Sequence, residues 1–131
     1  MEIELAEIRT PVVEVWQNVI LVSIVGTLDT NRAGVLMEAL LMKIVDKEAK
    51  VVILDLDGVP LIDTTVAKHI MDTIAAAKLM GPEVIVSGIN PEVAKTMVKL
   101  KIRFEAETYS VLRRAMESAL KLLGYELTIL K

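Results

Sequence analysis

The chain has 131 residues, of which 53% are hydrophobic, with no cysteine and a formal net charge of −3. This length predicts one domain over residues 1–131, and the lack of cysteine excludes disulfides, thiolate catalysis and cysteine zinc sites. The acidic balance argues against non-specific DNA binding. The longest uncharged run, Val15 to Leu28, is too short to span a bilayer, and the acidic start lacks the basic region of a secretory signal. We therefore expect a soluble, cytoplasmic protein with no nucleic-acid or membrane partner.

The first half of the chain predicts a hairpin, a helix and a buried strand. Two β-prone runs, Val12–Trp16 and Val19–Gly26, flank a short turn. A helix is predicted from Asp29, a good N-cap residue, to about Lys47, because apolar residues recur there at helical spacing. Val51–Leu56 is a nearly continuous apolar run, as expected of a central parallel strand that is covered on both faces.

The second half predicts alternating helices and strands. In order, these are a helix from about Thr64 to Met80, a strand over Glu83–Ser87, a short helix from Asn90 to about Leu100, a strand over Lys101–Glu105, a helix over Thr108–Leu123, and a tail over 124–131 that is a strand or an interaction segment. With right-handed crossovers, this order predicts an α/β fold: a mixed, mostly parallel sheet with an N-terminal hairpin and about four helices. In such folds, functional residues lie at the carboxyl ends of the strands.

An acidic residue and two hydroxyl residues lie between the carboxyl end of the central strand and the start of the next helix: Asp63, Thr64 and Thr65. A nucleophilic threonine would need a positioned base and an oxyanion hole. The one histidine in the sequence, His69, lies five residues after Thr64 and on a rotated face of the helix. The sequence also contains no glycine-rich phosphate loop of the P-loop or dinucleotide kind. These observations argue against an enzyme.

Asp55 and Asp57 precede a Gly-Val-Pro loop, an arrangement similar to the phosphorylated aspartate of receiver domains. The acidic pair that a receiver needs after its first strand to hold a divalent metal is missing, so no metal site is predicted. Two interpretations of Asp63 and Thr64 remain open. Such pairs commonly cap helices, and a threonine in the first turn of a helix is also accessible to phosphorylation, since the helix dipole favours a phosphate there.

Three blocks occur in a characteristic order: GTLDTNRAGVLMEALL, VVILDLDGVPLIDTTVAKHIMD and LMGPEVIVSGINPEVAKT. Through these blocks, the chain from about residue 10 to residue 120 resembles the STAS domain of anti-sigma-factor antagonists. Within that family it is most similar to the stressosome scaffold proteins of the RsbR and RsbS kind. The resemblance implies the STAS fold and a non-enzymatic signalling module without a cofactor. It also implies two kinds of partner: an RsbT-like switch serine/threonine kinase, and other STAS-domain paralogues in a homo- or hetero-oligomer.

The resemblance further implies the site residues. The phosphoacceptor that follows the aspartate of the family's I-D-S/T motif corresponds to Thr64, and a second acceptor, in the block G-I-x-P-E-x-A-x-T, corresponds to Thr96. Helical spacing places Thr96 on an exposed face. The residues expected beside the acceptor and in partner binding are Asp63, Thr65, Gly58 and Pro60. Two alternatives remain: a STAS domain that senses a small molecule or nucleotide, and a purely structural assembly subunit. Whether the chain stands alone or forms the C-terminal domain of a larger sensor also stays open.

Overall fold

The computed structural model describes residues 11–129. Within that range, five strands and four helices follow each other as β1 Val12–Trp16, β2 Val19–Val25, α1 Thr30–Lys47, β3 Val51–Gly58, α2 Thr64–Leu79, β4 Glu83–Ser87, α3 Pro91–Lys99, β5 Glu107–Thr108 and α4 Leu112–Leu122. The predicted hairpin, the first three helices and the strands β3 and β4 are confirmed within a few residues.

The strands form one sheet in the order β1-β2-β3-β4-β5. β1 is antiparallel to β2, and the other neighbouring pairs are parallel. Asn18 allows the tight β1–β2 turn because it adopts a φ of 66°, a left-handed conformation that asparagine tolerates better than most residues. The predicted α/β class, with a mostly parallel sheet and an N-terminal hairpin, is confirmed.

Helices cover the two faces of the sheet unequally. The buried residues Val52, Leu54 and Leu56 of β3 belong to the larger core, to which α1, α2 and α3 contribute. The alternate residues Val51 and Ile53 belong to a smaller core on the other face, where α4 provides the buried helical side chains. Because β3 is buried on both faces, Val51–Leu56 is a nearly continuous apolar run in the sequence, interrupted only by Asp55. Among residues 11–129, no helix combines the length and hydropathy needed to cross a bilayer.

Two predictions in the C-terminal third are wrong. The stretch Lys101–Glu105 forms no strand, although its side chains alternate in burial as strand residues do, with Phe104 buried. The last strand is Glu107–Thr108, and α4 accordingly begins at Leu112 rather than at Thr108. A pattern of alternating burial indicates which side chains face the core. It does not show that the backbone forms hydrogen bonds with a neighbouring strand. Residues 124–129 of the tail form neither helix nor strand, and 130–131 lie outside the described residues.

Candidate functional site

The carboxyl ends of the parallel strands form one edge of the sheet, and three helices begin there. α1, α2 and α3 follow β2, β3 and β4, and each begins after a side chain that caps it: Asp29, Asp63 and Asn90 respectively. Each cap oxygen accepts a hydrogen bond at 2.8 Å from the backbone N–H three residues further on. This satisfies one of the N–H groups that have no partner within the helix. The sequence therefore fixes the position of three helix starts at one edge.

Thr64 is the first residue of α2, and its side chain is exposed. The capping bond at this helix end belongs to Asp63, whose Oδ1 accepts from the N–H of Val66. Thr65, the second helical residue, is also exposed. The two residues thus differ in role: Asp63 caps the helix, and Thr64, an exposed residue, follows it.

The loop between β3 and α2 is held at two points. Val59 and Ile62 are each 2% exposed, and the N–H of Val59 donates to the carbonyl of Leu56 at 2.9 Å. Pro60 and Leu61 lie between these anchors and face solvent, with Leu61 65% exposed. Sequence reasoning selected Pro60 but missed Leu61. No sequence signal indicated it, because a leucine in an irregular loop can point toward the core or toward solvent, and only the positions of Val59 and Ile62 in the structure settle which.

Gly58 ends β3 at a place where no side chain fits. A Cβ atom there would lie 2.9 Å from the carbonyl oxygen of Ile24 and 3.0 Å from the side chain of Val25. The close approach lets the N–H of Gly26 donate to the carbonyl of Gly58 at 2.9 Å, which joins the ends of β2 and β3. Gly58 therefore brings exposed Val25 next to the loop that carries Pro60.

The charges at this edge are mainly acidic. Asp29, Asp57 and Asp63 are exposed, whereas Lys68, on the second turn of α2, forms an ion pair with Asp72 at 3.0 Å. A new negative charge on Thr64 would therefore add to an existing acidic surface, not neutralise a basic one.

Asp55 takes part in a separate contact. Its Oδ1 accepts from the hydroxyl of Ser87 at 2.9 Å, which links the ends of β3 and β4. Within residues 11–129, no three His, Cys, Asp or Glu side chains come together in a group that could hold a metal ion.

His69 contacts the neighbouring helix. Its Nε2 lies 3.3 Å from the hydroxyl oxygen of Thr30, the first residue of α1. The contact links the first turn of α1 to the second turn of α2, two helices that begin at the same edge. Because the two residues are 39 positions apart, no local pattern in the sequence could have indicated it.

Thr96 lies on a different helix from Thr64, in the second turn of α3. It is half-buried, so the exposure expected from helical spacing is only partly correct. The helix ends directly after this turn: Lys101 adopts a φ of 59°, and the N–H of Ile102 donates to the carbonyl of Met97 at 2.8 Å.

Comparisons with known proteins agree with this architecture. The family model of the STAS domain matches residues 10–115. The chain is 38% identical over 122 residues to the RsbT co-antagonist protein RsbRA of Bacillus subtilis strain 168, a match that covers 92% of this chain and 44% of RsbRA. The chain thus spans less than half the length of that relative.

Solved structures with the same fold include a variant of RsbS from Moorella thermoacetica, with a TM-score of 0.73 and 23% identity over 89% of this chain and 99% of that one. A chain from a structure of the stressosome, described as a signal integration and transduction hub, gives a TM-score of 0.70 and 20% identity over 88% of this chain and all of that one (100%). At these sequence identities, the two structures show only that the fold is the same. Together with the matched family model, they show that this chain belongs to the STAS domain family.

Proposed function

We propose that this chain is a non-enzymatic, cytoplasmic signalling module of the anti-sigma-factor-antagonist type, which binds an RsbT-like switch serine/threonine kinase and is phosphorylated by it at Thr64. The observation that carries the proposal is the exposure of Thr64, the first residue of α2, next to a cap that Asp63 supplies. Because the cap does not use the hydroxyl of Thr64, a phosphate can be added without opening the helix. The similarity to RsbRA, which is named as an RsbT co-antagonist, supports the choice of kinase.

A phosphate on Thr64 would change the charge of this edge sharply. It adds about 1.5 to 2 negative charges at neutral pH, on a surface that already exposes Asp57 and Asp63. The first turn of α2 offsets part of the repulsion, because its free N–H groups and the helix dipole favour an anion. The domain therefore stays folded while its surface potential changes, and a kinase bound at this edge changes its affinity.

Exposed apolar side chains beside the acceptor provide a contact surface for the kinase. Pro60 and Leu61 precede the acceptor in the chain, and Val25 is 51% exposed at the end of the adjoining strand. Gly58 contributes by its lack of a side chain, since this brings Val25 next to the loop. Thr65 lies at the rim of the same surface. We expect the substitution Leu61→Asp to weaken kinase binding without affecting the fold.

Thr96 is proposed as a second phosphoacceptor. It is half-buried, whereas Thr64 is exposed, so its side chain has to turn further into solvent to enter a kinase active site. We expect Thr96 to be modified more slowly than Thr64.

The decisive experiment uses the full chain, a switch kinase of the RsbT kind and ATP, followed by mapping of the modified residues by tandem mass spectrometry. Thr65→Ala is the matched control for Thr64→Ala, because both residues are exposed threonines in the first turn of α2. Thr64→Ala should abolish the first phosphorylation and Thr64→Ser should retain it. Thr65→Ala should also retain it, with at most a modest loss of rate, because Thr65 lies only at the rim of the contact surface.

Other outcomes separate the alternatives. Phosphate on Thr65 with none on Thr64 would refute the assignment of the acceptor. Kinase binding without any phosphorylation would favour a structural assembly subunit. Binding of nucleotide by the isolated chain, with no response to the kinase, would favour a sensor.

A further inference from the structure

An open cleft lies between α2 and α3, on the face of the sheet that carries the larger core. Its smaller part has a volume of about 360 Å³ and is lined by α2 and two residues of the irregular segment 102–106. Its larger part, of about 770 Å³, is lined mainly by the same segment and by α3. The two parts share Lys78, Arg103 and Glu105, so they adjoin, and we call them together the α2–α3 cleft. Both volumes fall in the range of small-molecule sites.

The α2–α3 cleft exists because α2 and α3 do not pack closely against each other. α2 packs against α1 instead, and segment 102–106, which forms neither helix nor strand, occupies the space between α2 and α3. The side chain of Phe104 is buried, and Nζ of Lys78 donates to the carbonyl of Glu105 at 3.0 Å. The segment is thus attached to α2 at this point, and open space remains on either side of it.

The walls of the α2–α3 cleft are largely apolar. Ile74 and Met71 of α2 line the smaller part, and Met71 is 37% exposed. In the larger part, Phe104 belongs to the larger core, and the half-buried Met97 and Ile102 pack against it. Apolar surface in an open recess stays hydrated, which is unfavourable. An apolar chain placed in the cleft would remove this surface from water.

The charged groups of the α2–α3 cleft are mainly basic. Lys78 and Arg103 line both of its parts, and neither forms an ion pair with any other residue between 11 and 129. Glu105 is the one acidic residue in the lining. Positive charge therefore predominates in the cleft, although the chain as a whole has a net charge of −3. A guanidinium group beside an apolar wall is suited to a carboxylate, which it can bind through two parallel hydrogen bonds.

We propose that the α2–α3 cleft binds an amphipathic acid, a small molecule with an apolar chain and a single carboxylate. The chain lies along the apolar walls, and the carboxylate accepts hydrogen bonds from Arg103 and Lys78. A neutral apolar ligand would leave both cations without a partner. A polar polyanion such as a nucleotide would leave the apolar walls in water and bring further negative charge toward Glu105. One acidic headgroup on an apolar chain matches both features of the cleft.

Saturation-transfer difference NMR of the full chain with sodium decanoate tests the proposal, and we expect a dissociation constant in the millimolar range or tighter. Hexanoate and octanoate complete a series of chain lengths. In an open cleft, two half-buried methylenes contribute about as much as one that is fully buried. Each step from hexanoate to octanoate to decanoate should therefore tighten binding roughly fourfold. Decylammonium has the same chain with the opposite charge and should bind at least roughly tenfold more weakly than decanoate.

Variants with a matched control locate the site. Arg103→Ala should weaken decanoate binding at least roughly threefold. Arg114→Ala removes another exposed arginine, from α4 on the opposite face of the sheet, and should leave binding unchanged. Ala75→Phe fills the smaller part of the cleft from an exposed position and keeps both cations; it should weaken binding at least roughly tenfold, since the chain loses its place. Glu105→Gln removes the acid and should tighten binding. Thermal unfolding of each variant verifies that the fold is retained.

Each of four results would overturn the proposal: no saturation transfer to decanoate up to roughly 10 mM, an affinity that does not rise with chain length, decylammonium binding as tightly as decanoate, or Arg114→Ala weakening binding as much as Arg103→Ala. The proposal does not rest on phosphorylation. Thr64→Ala should bind decanoate like the natural chain, so failure of one proposal is distinguishable from failure of the other.

Discussion

Substituting Asp63 by alanine should lower the stability of the domain, whereas substituting the adjacent Thr64 should not. Asp63→Ala removes the 2.8 Å hydrogen bond that its carboxylate accepts from the N–H of Val66. Loss of an N-cap costs about 1 kcal/mol of folding free energy. For a chain of 131 residues, this corresponds to a fall in the unfolding midpoint of roughly 3 to 5 °C.

Thr64→Ala should change the free energy of unfolding by no more than about 0.5 kcal/mol, since the residue is exposed and alanine has a higher helix propensity than threonine. Asp63→Asn separates the capping oxygen from the charge, because asparagine caps a helix as well as aspartate does. Its stability should stay close to that of the natural chain.

Thermal and urea unfolding followed by circular dichroism measures all three variants, and the kinase reaction with ATP measures phosphoryl acceptance. We expect Asp63→Ala to be less stable yet still phosphorylated, and Thr64→Ala to be stable yet unmodified. The reasoning is refuted if Thr64→Ala is as destabilised as Asp63→Ala, or if Asp63→Asn loses as much stability as the alanine variant.

The remaining predictions concern stability and are measured by urea unfolding. Gly88→Ala should destabilise by more than about 3 kcal/mol, because Gly88 has a φ of 80° and an added Cβ would meet the backbone at the end of β3. Gly81→Ala should cost only about 1 to 2 kcal/mol, since its φ of 114° is unfavourable but nothing lies within 4 Å; equal losses at the two glycines would contradict the close approach. Gly34→Ala, in α1 with open space around it, should instead stabilise by about 0.5 to 1 kcal/mol, and a loss of stability there would show a contact that the structure lacks. Ser87→Ala should cost about 1 to 3 kcal/mol, because it removes the 2.9 Å hydrogen bond to Asp55; an unchanged midpoint would mean that water replaces this bond.

The parts of the fold that depend on local residues were predictable from the sequence. Asp29, Asp63 and Asn90 each begin a helix where their capping chemistry predicts one. β3 was recognisable because a strand buried on both faces needs apolar residues at consecutive positions. Helix capping and the burial of a strand both depend on residues that are close together in the chain. Both features can therefore be recognised in the sequence.

Right-handed crossovers predicted the parallel pairing of the central strands, but two other features that depend on contacts between distant segments were not predictable. The last strand lies at Glu107–Thr108 because the N–H of Tyr109 donates to the carbonyl of Val86, and nothing near residue 101 indicates that partner. The contact between His69 and Thr30 likewise needs α1 and α2 to pack side by side. At the candidate site, Thr64 was selected by family resemblance, whereas the exposure of Leu61 became clear only from the loop geometry.

The close succession of β3 and α2 has a consequence for amide hydrogen exchange. Val52, Ile53 and Leu54 are fully buried in the centre of the sheet, so their amides should exchange only when the whole domain unfolds. The amides of Thr64 and Thr65 belong to the first turn of α2, where no acceptor exists within the helix, and they should exchange without unfolding. Ten residues along the chain therefore separate amides that exchange only on global unfolding from amides that exchange without it, and the proposed phosphorylation of Thr64 would need no global unfolding.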